Sequence, residues 1–230
     1  MKAFCSLFLI SICSILNLQS QTDKYYKFYM DSGRMEFGLT ICSDNSYLIE
    51  LSEQLSPDII QEHLVSIGHC KYENEKIILI DKILNYKMEL VVKVKNLVVK
   101  KSFSCLANNV FYFNSNYPCS DDYSNIIKID ALKLIHERDS FANAKRNLIF
   151  IGIGGYTNTL GFDMEILPFN NYKYYYKGLL ISEGNWNQSG NILELYDRSI
   201  EDTFHVLIKR NELISKLLPF DYSGIKLKKQ

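Results

Sequence analysis

The sequence predicts an all-β protein built from two tandem antiparallel β-meander repeats. Three observations carry that expectation. Apolar residues alternate, or run in blocks of four to eight, between Asn, Gly, Asp and Ser clusters, which is strand-and-turn punctuation. Short links such as Lys95-Asn96 imply hairpins between neighbouring strands. The pattern also repeats within the chain.

The repeat is read from constant offsets. Ser66, Gly68, Ile77, Leu79 and Asp81 fall on Ser182, Gly184, Leu193, Leu195 and Asp197 at an offset of 116. The same offset lays Met88–Lys93 over Phe204–Lys209 and Leu97 over Leu213. Upstream the offset becomes 125, placing Phe37, Leu39, Ile41, Asn45 and Tyr47 on Phe162, Met164, Ile166, Asn170 and Tyr172. Downstream an offset of 99 aligns Asp122-Tyr123-Ser124 with Asp221-Tyr222-Ser223. These offsets predict a first insertion of 9 residues near Ser52–Glu62 and a second of 17 near 104–120. One continuous β domain with similar hairpins is the competing reading.

The elements follow in order. Residues 1–20 have a basic Lys2, an apolar run from Ala3 to Leu16 and a small residue, Ser20, at the exit, which together describe a secretory signal peptide. Cleavage after Ser20 leaves Gln21 first. Lipid attachment at Cys13 ranks second, because Ile12 stands where a small residue is wanted. Residues 21–129 form the first repeat, with strands expected near Tyr25–Met30, Met35–Cys42, Tyr47–Leu51, Leu64–Tyr72, Lys76–Asp81, Lys87–Val94, Leu97–Phe103 and Ile126–Ile129. Ser56-Pro57 at the head of Asp58–Glu62 predicts a short helix. Residues 130–146 read as an amphipathic helical linker. Residues 147–230 form the second repeat, with strands near Leu148–Ile153, Leu160–Leu167, Tyr172–Tyr176, Leu179–Asn187, Ile192–Tyr196, Thr203–Lys209, Leu213–Lys216 and Ile225–Lys228. Regular short strands suggest a barrel or a sandwich.

Gly184 and Trp186, a polar turn, then Leu193 and Leu195 make a strand pair that resembles small secreted lipocalin-like β-barrels. Gly68, Ile77 and Leu79 match in the first repeat, although Cys70 replaces the aromatic. The closing Ile225–Lys229 is similar to the last strand of such domains. The resemblance implies a non-enzymatic binding or envelope role.

Composition and motifs narrow the chemistry. Lysine plus arginine and aspartate plus glutamate each total 26, which argues against a nucleic-acid partner. No segment after the signal is apolar enough to span a bilayer as a helix. Four of the six cysteines remain after cleavage, an even number suited to an oxidising compartment. Cys105 with Cys119 is the favoured disulfide. Cys42 and Cys70 either pair or stay as buried thiols. No zinc-type spacing is present, so no metal or other cofactor is expected. Gly152–Gly155 lacks the third glycine and the following helix of a dinucleotide loop. The four histidines, His63, His69, His136 and His205, fall on separate elements, and no catalytic residue is assigned.

Aromatic residues supply the candidate ligand or partner surface. They are Tyr172, Tyr174 and Tyr176 on one strand face, Trp186, and the run Phe111, Tyr112 and Phe113. The functional expectation is a secreted or periplasmic non-enzymatic protein that binds a small apolar ligand. The alternative is an envelope or secreted protein-interaction module without a ligand cavity. A hydrolase ranks third, with no motif behind it.

Overall fold

The computed structural model describes residues 23–30, 34–116, 151–215, 218–220 and 224–230. They form sixteen strands in two closed, antiparallel, eight-stranded barrels. The first contains β1 (Lys24–Met30), β2 (Met35–Ile41), β3 (Ser46–Ser56), β4 (Ile59–Glu73), β5 (Lys76–Asp81), β6 (Lys87–Lys93), β7 (Asn96–Lys101) and β8 (Val110–Ser115). The second contains β9 (Gly154–Thr157), β10 (Phe162–Leu167), β11 (Asn171–Tyr176), β12 (Leu179–Ser189), β13 (Ile192–Asp197), β14 (Asp202–Lys209), β15 (Glu212–Ser215) and β16 (Ile225–Lys229). Closure pairs β1 with β8 and β9 with β16. It removes free sheet edges that would otherwise recruit other strands.

Strand alternation sends one face of each strand inward. Phe28, Phe37, Tyr47, Leu79, Leu90 and Phe111 fill the first barrel, each 5% exposed or less. The Phe28 ring stacks on Phe37 at 5.0 Å and meets Phe111 edge-on at 4.9 Å. In the second barrel Phe162 lies 5.9 Å from Tyr174 and 4.7 Å from Tyr176. Both interiors belong to one hydrophobic cluster. Phe220, from the segment between β15 and β16, sets its ring 6.0 Å from both Phe37 and Phe103 of the first barrel.

The duplication is visible in the register. Leu97 faces Phe111 across β7–β8, and Leu213 faces Leu227 across β15–β16. The offset of 116 therefore runs unbroken to the end of each barrel. This corrects the second insertion: the expected insertion holds β8, which closes the first barrel. The match at offset 99 places the closing strand at 126–129, outside the described residues. Phe111-Tyr112-Phe113 alternates poorly in hydrophobicity, so its strand character was masked.

The first insertion is present but is not helical. It extends β3 and β4 into a hairpin arm, pairing Ser52 with Glu62 and Ser56 with Ile59 around a tight Pro57-Asp58 turn. Pro57 fixes the turn instead of starting a helix, because the flanking residues already have cross-strand partners. The helical linker at 130–146 lies outside the described residues. β9 falls on Gly154–Thr157, whose glycines read as a break in the sequence, and the expected strand at Leu148–Ile153 lies partly outside the described residues.

Candidate functional site

Each barrel places a buried Tyr, Ser and Asp at matching positions. In the first barrel the Tyr47 hydroxyl lies 2.7 Å from Ser66 Oγ, which donates to Asp81 Oδ2 at 2.8 Å. Asp81 Oδ1 accepts the amides of Ile83 and Leu84 at 2.8 and 2.7 Å, closing the β5–β6 turn. In the second barrel Tyr172 lies 2.7 Å from Ser182 Oγ, and Asp197 Oδ1 accepts the amides of Ser199 and Ile200. Ser182 also favours the charged form of Asp197.

Burial pushes both aspartates above the ordinary carboxylate value of 3.8, against the pull of their hydrogen bonds. Each network resembles a catalytic relay. However, Ser66, Asp81 and Asp197 are 0% exposed and Ser182 is 1% exposed, so substrate has no route to them. In the first barrel the network instead ties three strands and a turn together; in the second, Tyr172 and Ser182 join two strands, Asp197 Oδ1 holds the turn, and Asp197 Oδ2 has no hydrogen-bond partner among the described residues.

The same strands cross at a glycine. A Cβ on Gly68 would stand 1.9 Å from the Ile80 carbonyl oxygen, and one on Gly184 would stand 1.8 Å from that of Tyr196. Only glycine lets the β4–β5 and β12–β13 backbones approach this closely.

The arm makes a second constellation, between the barrels. Glu53 is 9% exposed and pairs with Lys177. The Tyr176 hydroxyl donates to Glu53 Oε2 at 3.3 Å and lies 2.6 Å from His63 Nε2. Burial, then the Glu53 charge, raise the Tyr176 phenol well above its usual value. Lys101 pairs with Glu201 at 2.8 Å, and the Ser104 amide donates to the Ile181 carbonyl at 3.1 Å. These contacts bridge the repeats. Only the insertion gave a sequence signal for the arm. Glu53 and Lys177, 124 residues apart, gave none.

The predicted site residues separate. Tyr172, Tyr174 and Tyr176 are each 1% exposed, and Phe111 is 1% exposed. They form barrel interior, which corrects their reading as an accessible partner surface. Tyrosine alternation marks a strand face, but it does not reveal whether that face points in or out. Tyr112 is exposed, while Phe113 and Trp186 are half-buried. Trp186 Nε1 donates to the Leu167 carbonyl at 3.2 Å.

Cys70 and Cys105 are free and buried, so neither the Cys105–Cys119 nor the Cys42–Cys70 pairing forms. Burial raises both thiols and makes them poor nucleophiles. Cys42 is disulfide-bonded and is not among the free thiols. Cys119 itself lies outside the described residues. His69 is exposed and Cys70 faces inward, as opposite strand faces require.

Two shallow clefts lie outside the second barrel. One, of about 350 Å³, is lined by Tyr156, Asp163, Glu165 and Tyr175. The other, of about 400 Å³, is lined by Phe169, Asn171, Lys173, Glu183 and Arg198. Among the described residues no group of three or more His, Cys, Asp or Glu side chains could hold a metal ion. No helix among them is long and apolar enough to cross a membrane. Comparison of the chain with protein-family models, curated proteins and solved structures finds no match.

Proposed function

We propose that the chain is a secreted or periplasmic, non-enzymatic recognition module that binds on the outside of two filled barrels. One observation carries the reading. The space where a lipocalin-like barrel would hold an apolar ligand is occupied by aromatic side chains of the protein. Phe28, Phe37 and Phe111 pack ring against ring in the first barrel, and Phe162, Tyr174 and Tyr176 in the second. Barrels of eight strands are narrow enough to be filled in this way. The alternative of an interaction module without a cavity is thus favoured over the apolar-ligand binder. The likeness to lipocalin-like barrels enters this reading as architecture.

Secretion rests on residues 1–20. Native mass spectrometry of the exported chain, purified without detergent, tests both parts of the proposal. The expected mass is that of Gln21–Gln230 alone. A stoichiometric lipid-like adduct would overturn the filled-barrel reading, and a chain retaining Met1 would overturn the export reading.

A further inference from the structure

The cleft lined by Phe169 and Arg198 differs from its counterpart in the first repeat. Phe169 lies in the β10–β11 turn, is 94% exposed and has a φ of 58°. A bulky side chain in the left-handed region is strained, and such strain clusters at binding sites. The corresponding turn of the first repeat places Asp44 there. Asp44 Oδ1 accepts the Ser46 amide at 2.8 Å in an ordinary polar turn. The second repeat thus presents a ring to solvent where the first presents a carboxylate that caps its own turn.

The same turn positions a cation. Asn171 Nδ2 donates to the Pro168 and Phe169 carbonyls at 3.4 and 3.2 Å, and Asn185 Nδ2 donates to the Asn170 carbonyl at 3.3 Å. Anchored in this way, the two amides turn their oxygens toward Arg198. Its Nη2 donates to Asn171 Oδ1 at 2.7 Å and its Nε to Asn185 Oδ1 at 3.2 Å. Neutral acceptors orient the guanidinium fork without cancelling its charge. Lys173 and Glu183 stand opposite each other on the same outer face. The corresponding first-repeat residues, Leu48 and Ile67, are apolar and buried.

We propose that this cleft binds an acidic saccharide. The apolar face of a sugar ring stacks on Phe169, its carboxylate meets the free side of Arg198, and its hydroxyls bond to Lys173 and Glu183. The chemistry favours a saccharide over an acidic peptide. β11 is paired with β10 and β12 along its length, so no strand edge is open to an extended chain. The inference rests on the outside-binding reading and deepens it.

The chain's single tryptophan is a built-in reporter. Trp186 donates from its amide to the Asn170 carbonyl and from Nε1 to the Leu167 carbonyl, directly beneath the turn. Titration of the full chain with trigalacturonate, sialyllactose and a hyaluronan tetrasaccharide, read by Trp186 fluorescence and calorimetry, tests the proposal. At least one should bind saturably, and its uncharged counterpart should bind at least tenfold more weakly. Arg198→Gln and Phe169→Asn should each weaken binding at least tenfold. Phe169→Asn should also raise the melting temperature, because asparagine tolerates the left-handed backbone; a merely structural phenylalanine would lower it. No saturable binding by any of the three would overturn the proposal, as would binding indifferent to both substitutions. A glutamate-rich peptide that binds more tightly through the same residues would assign the cleft to a protein partner instead. Native masses free of lipid alongside such failures would leave the filled-barrel reading standing, so the two outcomes separate.

Discussion

Asp81 and Asp197 show how single residues hold each barrel at a measurable electrostatic cost. Both are raised above 3.8 by burial, so the folded state holds their protons more tightly than the unfolded chain does. Their contribution to stability is therefore fullest below pH 3.8 and is lost as the pH rises through their folded values. Asp81→Asn removes that dependence. Its destabilisation, read by urea denaturation across the acid range, should be larger below pH 3.8 than at neutral pH. Gly184 gives a steric counterpart. Gly184→Ala forces a methyl against the Tyr196 carbonyl oxygen, and should cost about 3 kcal/mol in denaturant melts, as overpacking of a rigid backbone does. The sequence showed both residues as repeat identities, Asp81 with Asp197 and Gly68 with Gly184. It did not show why they recur: the carbonyl that bars a side chain at Gly68 comes from Ile80, on the next strand.

Among the elements, strands were the most legible and closure the least. The period of two located β5 at Lys76–Asp81 without error, because polar turns bound it on both sides. β8 was missed because Phe111, Tyr112 and Phe113 are all aromatic, so no alternation marked the inward residue. The arm was visible as an insertion and misjudged in form, since its local Ser-Pro signal competes with cross-strand pairing. Its contact with the second barrel joins residues far apart in the chain and leaves no local trace. The Glu53–Lys177 pair should show a coupling of about 1–2 kcal/mol in a double-mutant cycle of Glu53→Gln and Lys177→Met, within the range of partly buried neighbours. The four melting curves of that cycle supply the measurement. The exposed aromatic at Phe169 carried a readable signal as well: a bulky ring where the other repeat has Asp44.

At the scale of the molecule, two closed barrels share one apolar cluster and exchange side chains across their junction. Phe220 belongs to the second repeat by sequence and to the first barrel by packing. Phe220→Ala should lower stability by about 3 kcal/mol, the usual range for a buried aromatic. Calorimetry should then resolve one transition into two as the barrels uncouple. The fold class and the duplication were read from the sequence. The filling of the barrels was not, because inward and outward tyrosines look alike in a strand. That filling moves recognition to the outer surface, and it can be tested by titrating the folded chain with cis-parinaric acid, a fluorescent apolar probe. Filled barrels should give no saturable enhancement below the concentration at which the probe self-associates. A saturable, one-to-one enhancement lost on Tyr174→Trp, which would narrow the interior further, would contradict it.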